Sequence, residues 1–215
     1  MASISPSSNP LLSHPDRLLR DHLREVAEGA AAVCTASPAS SHSVGLSDED
    51  LGTFCFLLGA CHDFGKATSY FQKYIRAVKD GKTPKKSQES NHGGISALFA
   101  YAVVRTRVSH FDAPLRDLLP YIAYEVVRRH HGNLHNTSVD IVDSLRKDEE
   151  VFSRQIASMD FDRTVAVYQG LLDAEVVAGF FQNWREEREE ALRYSNRTFR
   201  RLRKNPDAGY AGLAL

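Results

Sequence analysis

No stretch of this chain approaches the roughly 18 consecutive apolar residues that a membrane-spanning helix needs. The start, Met1 to Pro10, has neither the basic flank nor the apolar core of a secretory leader. These two absences point to a soluble, cytoplasmic protein with no membrane partner. Cysteine is scarce: Cys34, Cys55 and Cys61 form an odd set with no CxxC spacing, which argues against both a disulfide framework and a thiolate zinc site and favours a reducing, intracellular setting. Net charge is missing too, because 27 lysines and arginines balance 27 aspartates and glutamates. No global field then attracts nucleic acid, and any such contact has to be local. Alternating strand patterns and internal repeats are absent as well. What is left is an all-α chain, and its 215 residues suit one large domain.

What the chain has in excess is histidine, nine in all. Residues 1–13 read as a disordered start. Pro15 and Asp16 suit the first turn of a helix, and Leu18, Leu19, Leu23, Val26, Ala27 and Ala30 follow at spacings of three and four, with His22 on the same stripe. Residues 36–45, rich in Ser, Pro and Gly, read as a loop. Ser47 and Asp50 resemble a capping box ahead of Leu51, Phe54, Cys55, Leu58 and His62, so His62 ends an apolar face. After Gly65, a second amphipathic piece over 67–78 carries Tyr70, Phe71, Tyr74 and Ile75. Residues 79–91, with Gly81, Pro84 and four lysines, read as a mobile basic loop. Asn91 caps a helix that begins at His92 and turns Ile95, Leu98, Phe99, Ala102 and Val103 inward. Asp112-Ala113-Pro114 opens the next, whose stripe of Leu115, Leu118, Leu119, Ile122, Ala123, Val126 and Val127 leads to His130, with Gly132 and Asn133 as stop signals. Helical patterns continue over 138–158 and 162–203, the second with Val165, Tyr168, Gln169, Leu172, Val176 and Phe180 inward.

Four helices thus each bring a histidine to or beside an apolar face: His22, His62, His92, and the pair His130 and His131. Any one alone reads most simply as a core histidine with a satisfied ring. Five together are different. Buried imidazoles need partners, and a divalent cation satisfies several neutral nitrogens at once while an aspartate offsets charge. Asp63, next to His62, supplies an oxygen able to bridge two cations. A mixed nitrogen and oxygen set suits Mn, Fe, Co, Ni or Zn better than Ca.

The ordered series of residues carries a resemblance. His62-Asp63 followed by Gly65-Lys66, the upstream Asp21-His22-Leu23, and the downstream His92 and His130-His131 match the pattern of the HD superfamily of metal-dependent phosphohydrolases. More narrowly, Cys61-His62-Asp63-Phe64-Gly65-Lys66-Ala67-Thr68, then Phe71-Gln72-Lys73-Tyr74, His92 with Ser96 and Ala97, and Arg129-His130-His131-Gly132 resemble the HD nuclease of type I CRISPR interference systems over roughly residues 14 to 185. The resemblance implies a helical bundle holding one or two divalent metals, Mn, Ni, Co or Fe before Mg. It implies cleavage of single-stranded DNA, with a CRISPR helicase subunit or domain and an RNA-guided effector complex as partners. His22, His62 and Asp63 would bind one metal and His92, His130 and His131 a second, with Asp63 shared. Lys66, three residues after the catalytic Asp63, would share its face on a continuing helix and neutralise a phosphate oxygen.

The family closes its first metal site with an aspartate on a late helix. This chain offers Asp173, with Glu175 as the alternative, in Leu171-Leu172-Asp173-Ala174-Glu175, and helical geometry leaves both open. Lys82, Lys85 and Lys86 in the basic loop are candidates for nucleic-acid contact alongside Lys66, and Tyr70, Phe71 and Tyr74 offer rings on which bases stack. His14, His42, His110 and His135 read as surface residues, His135 with a groove-lining alternative. Ser96 is either a hydrogen-bonding neighbour of the site or a small core residue. The basic end Arg197 to Lys204 reads as a solvated helix with DNA or partner contact as the alternative, and 204–215 as a tail or linker after a nuclease domain over 14–203. The leading expectation is a metal-dependent nuclease. A phosphohydrolase of small nucleotides and a metal-stabilised docking module that does not cut are the alternatives.

Overall fold

Proline fixes a φ that suits the second residue of a tight turn as well as the first turn of a helix, and tertiary contacts choose between them at Pro15. The computed structural model describes residues 9–36, 46–112, 115–132 and 145–204, with 196–204 as backbone alone. In it Leu12–His14 (β1) pairs antiparallel with Arg17–Leu18 (β2), and Pro15-Asp16 is the turn between them. The helix expected from Pro15 therefore starts only at Leu19. The choice is made by the buried Gln72, whose side chain accepts from Leu12 N at 3.0 Å and donates to Leu12 O at 2.8 Å. Leu11 and Leu12, within the stretch that composition assigned to a disordered start, are buried, while Leu18, expected inward, is 40% exposed.

Helix α1 (Leu19–Ala36) packs along α2 (Asp48–Cys61) in the opposite direction. Ser47 caps α2 by accepting from Asp50 N at 3.0 Å, as its spacing implied. Contrary to the expectation of reduced thiols, Cys34 on α1 and Cys55 on α2 are disulfide-bonded; Cys61 is a free, buried thiol. A 3-10 turn, Phe64–Ala67, leads to α3 (Ser69–Lys79), capped by Thr68. Then come α4 (Gly93–Arg107), α5 (Leu115–Arg129), α6 (Glu149–Ala157), α7 (Phe161–Tyr168) and α8 (Ala174–Lys204). Among the described residues the one hairpin is the only sheet, and the architecture is all-α.

Helix α4 is the central rod. Every residue from Gly93 to Val104 is buried, and the helix touches α2, α5, α6, α8 and the 3-10 turn. On α5 the inward face is Leu119, Ala123, Tyr124 and Val127, whereas Val126 is 44% exposed. His130 thus follows the buried face three residues after Val127. The pattern over 162–203 is two helices: Gly170 takes a positive φ of 80° between them, and Gln169 is exposed. Of the arginines on α8, Arg188 is buried, its Nε donating to Leu145 O at 2.6 Å and its guanidinium pairing with Glu149. No helix of the described residues is long and apolar enough to cross a membrane. Residues 1–8, 37–45 with His42, 113–114, 133–144 with His135 and the start of the 138–158 pattern, and 205–215 lie outside the described residues. So do the side chains of Arg197 to Lys204.

Candidate metal centre

The His62-Asp63 doublet sits where α2 gives way to the 3-10 turn. His62 closes α2, its backbone N–H bonding Leu58 O. The next residue but one, Phe64, is fully buried, stacks on Phe99 at 4.1 Å between centroids and meets Phe180 edge-on at 5.3 Å. Burying a phenylalanine contributes roughly 1.5–3 kcal/mol. It also pins the residue before it. Gly65 N donates to Ser96 Oγ on α4 at 2.9 Å, so Ser96 is the hydrogen-bonding neighbour of the site. A side chain at Gly65 is excluded, because a Cβ would lie 2.7 Å from His92 O. The carboxylate of Asp63 is thereby held at the junction of α1, α2, α4 and α5.

Around it the sequence-predicted histidines converge. His22 Nε2 is 2.9 Å and His62 Nε2 3.1 Å from Asp63 Oδ2, and the two nitrogens are 3.2 Å apart. His92 Nε2 lies 3.1 Å and His130 Nε2 3.4 Å from Asp63 Oδ1. Two donor sets result: His22, His62 and Asp63, and Asp63, His92, His130 and His131, each with its atoms within 4.8 Å of one another. Asp63 belongs to both. His62 Nδ1–H donates to Gly59 O at 2.6 Å, and His130 Nδ1–H to Val127 O at 2.6 Å. That fixes the proton on Nδ1 in both rings and leaves the Nε2 lone pair facing the carboxylate.

Lone pairs facing a carboxylate repel unless a cation lies between them. Asp63 Oδ1, His92 Nε2 and His130 Nε2 are buried without a hydrogen bond, a costly arrangement for polar atoms on their own. Metal–nitrogen bonds of about 2.0–2.1 Å hold neighbouring ligand atoms about 3 Å apart, which is the spacing of His22 Nε2, His62 Nε2 and Asp63 Oδ2. The donors therefore fit a divalent cation in each set, and the mixed nitrogen and oxygen chemistry suits a transition metal.

Burial, only partly offset by Asp63, lowers His92. His131, by partial burial and then the charges of His130 and His92, is pushed down from 6.5 to about 4. Between these values the unfolded chain binds the proton that the folded chain resists. Stability of the metal-free protein is therefore full above pH 6.5 and falls as pH drops towards 4. Urea denaturation with chelator at pH 7.5 and 4.5 should show this loss, and His131→Asn should lose less over the same interval.

Neither late-helix acid reaches the cluster. Asp173 pairs with Arg107 at the C-terminal end of α4, whereas His92 stands before its N-terminus. The 15 residues of α4 separate the two by about 22 Å. Glu175 is exposed beside Ala102, Val103 and Thr106, on the same distant stretch. Lys66, expected to share the face of Asp63 on a continuing helix, lies buried in the 3-10 turn instead, with Nζ 2.7 Å from Asp63 Oδ2 and 5.4 Å from the Phe71 ring centroid. Lys82, Lys85 and Lys86 are exposed on the connection after α3, Lys86 over the Tyr74 ring at 5.8 Å. His110 is a surface residue, near Asp50.

Two residues escaped the sequence reading. Gln155, fully buried on α6, donates to Glu89 O and Asn91 O, both at 2.8 Å, and so fixes the chain just before His92. His14 is exposed, as its reading as a surface residue implied, but it also stands edge-on to His22 with centroids 5.0 Å apart, which the sequence did not signal.

Comparison with known proteins gives three findings. The family model described as Cas3, HD domain matches residues 12–208. The CRISPR-associated nuclease/helicase Cas3 of Haloferax volcanii is 29% identical over 163 residues, covering 70% of this chain and 16% of its own length. This chain thus spans about a sixth of that relative. The solved structure of the CRISPR-associated Cas3 HD domain protein from Methanocaldococcus jannaschii is 18% identical, with a TM-score of 0.46 over 86% of this chain and 98% of that one.

Proposed function

The chain belongs to the Cas3 HD-domain family, whose model spans residues 12–208, and from that premise we propose that it is a divalent-metal-dependent nuclease hydrolysing phosphodiester bonds of single-stranded DNA in CRISPR interference. The observation that carries the reading is the convergence of four imidazoles on one buried carboxylate, with Asp63 Oδ1, His92 Nε2 and His130 Nε2 unpaired. His22, His62 and Asp63 would hold one cation, and Asp63, His92, His130 and His131 a second. Bound cations supply an activated water and neutralise charge on phosphate oxygens. The remaining work falls to the chain itself. The Nδ1 bonds of His62 and His130 orient their rings, and Lys66 steadies Asp63 while adding positive charge beside a bound phosphate. Lys82, Lys85 and Lys86, with Tyr74, offer the strand phosphate contacts and a stacking ring. A helicase, in the same polypeptide or another, and an RNA-guided effector complex would deliver the strand in the cytoplasm.

The test incubates purified protein with circular single-stranded DNA, and separately with nucleotides, in Mn, Ni, Co, Mg or chelator. Nicking that requires metal and disappears in His62→Ala is the expected result. Nucleotide hydrolysis without nicking would reassign the protein to small substrates, and metal uptake with neither activity would make it a docking module.

A further inference from the structure

We propose that His14 is a substrate-contacting residue of this centre, its ring N–H donating a hydrogen bond to an oxygen of the phosphate that the cluster binds. The inference rests on the phosphoester reading above. His14 ends β1, and its ring centroid lies 5.0 Å from that of His22. That is the spacing found inside the cluster, 5.1 Å for His22 and His62 and 5.2 Å for His92 and His131. Yet His14 is exposed and its nitrogens fall outside both donor sets. It stands on the rim of the first set, between His22 and solvent, where a substrate arrives and a metal ligand does not sit.

The chain holds it there firmly. Gln72 bonds both the N–H and the C=O of Leu12 and donates a further bond, at 2.8 Å, to Lys66 O. One buried amide thus ties the strand of His14 to the turn that carries Lys66. Arg76 donates to Pro10 O at 2.6 Å, and Arg163 to Asn9 O, so the strand is anchored upstream as well. Ser13, itself buried, places its Oγ 3.1 Å from His14 Nδ1 but only 3.4 Å from Arg17 O. The Ser13 contact occupies Nδ1, so Nε2 is the ring nitrogen through which His14 meets the phosphate.

The test uses the full chain as wild type, His14→Ala and His14→Gln, loaded with Mn. Metal content is measured by elemental analysis, inorganic phosphate binding by calorimetry, and kcat and KM on a fluorescent oligothymidylate. His14→Ala should keep the wild-type metal content and melting temperature, bind phosphate about tenfold more weakly or worse, and lose kcat/KM in proportion. His14→Gln, whose amide can still donate, should recover part of both. Loss of metal from His14→Ala would make His14 a ligand and overturn the proposal, and so would equal phosphate affinity in the two proteins, or no phosphate binding by wild type. If wild type leaves DNA intact while phosphate still distinguishes it from His14→Ala, the nuclease reading fails and the role of His14 stands.

Discussion

Asp63→Asn is expected to yield a folded protein that no longer takes up divalent cations tightly and cuts single-stranded DNA at least about a thousandfold more slowly, since the cations it would lose supply several kcal/mol of barrier lowering. Asn matches Asp in volume, so packing around this 1% exposed side chain is kept. What changes is charge and lone pairs. Both donor sets share Asp63, so one substitution removes a ligand from each. Lys66, with Nζ 2.7 Å from Oδ2 and its side chain 5% exposed, loses its anion. Removing one partner of a buried pair costs about 3–5 kcal/mol, whereas removing both is close to neutral. The metal-free Asp63→Asn protein should therefore denature at lower urea than wild type, and Asp63→Asn with Lys66→Met should regain most of the difference without regaining metal. Tight Mn uptake by Asp63→Asn, seen in dialysis followed by elemental analysis, would remove the bridging carboxylate from the reading.

The site was more legible in the sequence than the scaffold, for a physical reason. Metal-ligating chemistry uses few residue types, so His22, His62, Asp63, His92, His130 and His131 stand out wherever the helices run, and the structure brings all six together. The register of the helices was harder. Periodicity reports a half-buried face, and α4 has none because it is buried all round from Gly93 to Val104. On α5, Val126 and Val127 are equally apolar in sequence but only Val127 is covered. Pro15-Asp16 obeys the grammar of a helix start and of a turn, and the buried Gln72, 60 residues away from Leu12, decides. Cys34 and Cys55 carry no motif spacing, so their pairing follows only from the packing of α1 on α2. Asp173 fails for a similar reason: the break at Gly170 re-aims the chain, and its carboxylate ends against Arg107. A single histidine in a presumed loop carries no pattern at all, which is why His14 was invisible until β1 set it beside His22.

Two glycines decide whether the two donor sets meet, and their substitution should separate the sets from one another. A Cβ at Gly59 would lie 2.6 Å from Ala27 Cα and 2.7 Å from Ala27 N, backbone atoms of α1 that no rotamer can move aside. Gly59→Ala must therefore push α1 from α2, at a cost of about 3 kcal/mol or more, and α1 carries His22 while Gly59 O holds the ring of His62. A Cβ at Gly65 would meet Ile95 Cγ2 at 2.6 Å, His92 O at 2.7 Å and His92 Cα at 2.9 Å. Gly65→Ala drives the start of α4 away from the 3-10 turn, strains the Ser96 bond to Gly65 N, and withdraws His92 from Asp63. The expected outcome is a split: both variants denature at clearly lower urea than wild type, Gly59→Ala loses cation from the His22 and His62 set first, and Gly65→Ala loses it from the His92 and His130 set. Titration with Co, whose absorption spectrum reports its ligands, distinguishes the two, with His62→Ala and His130→Ala as references for each half. Indistinguishable Co spectra for Gly59→Ala and Gly65→Ala would mean that the two sets act as one site, with Asp63 and its imidazoles sharing a single cation.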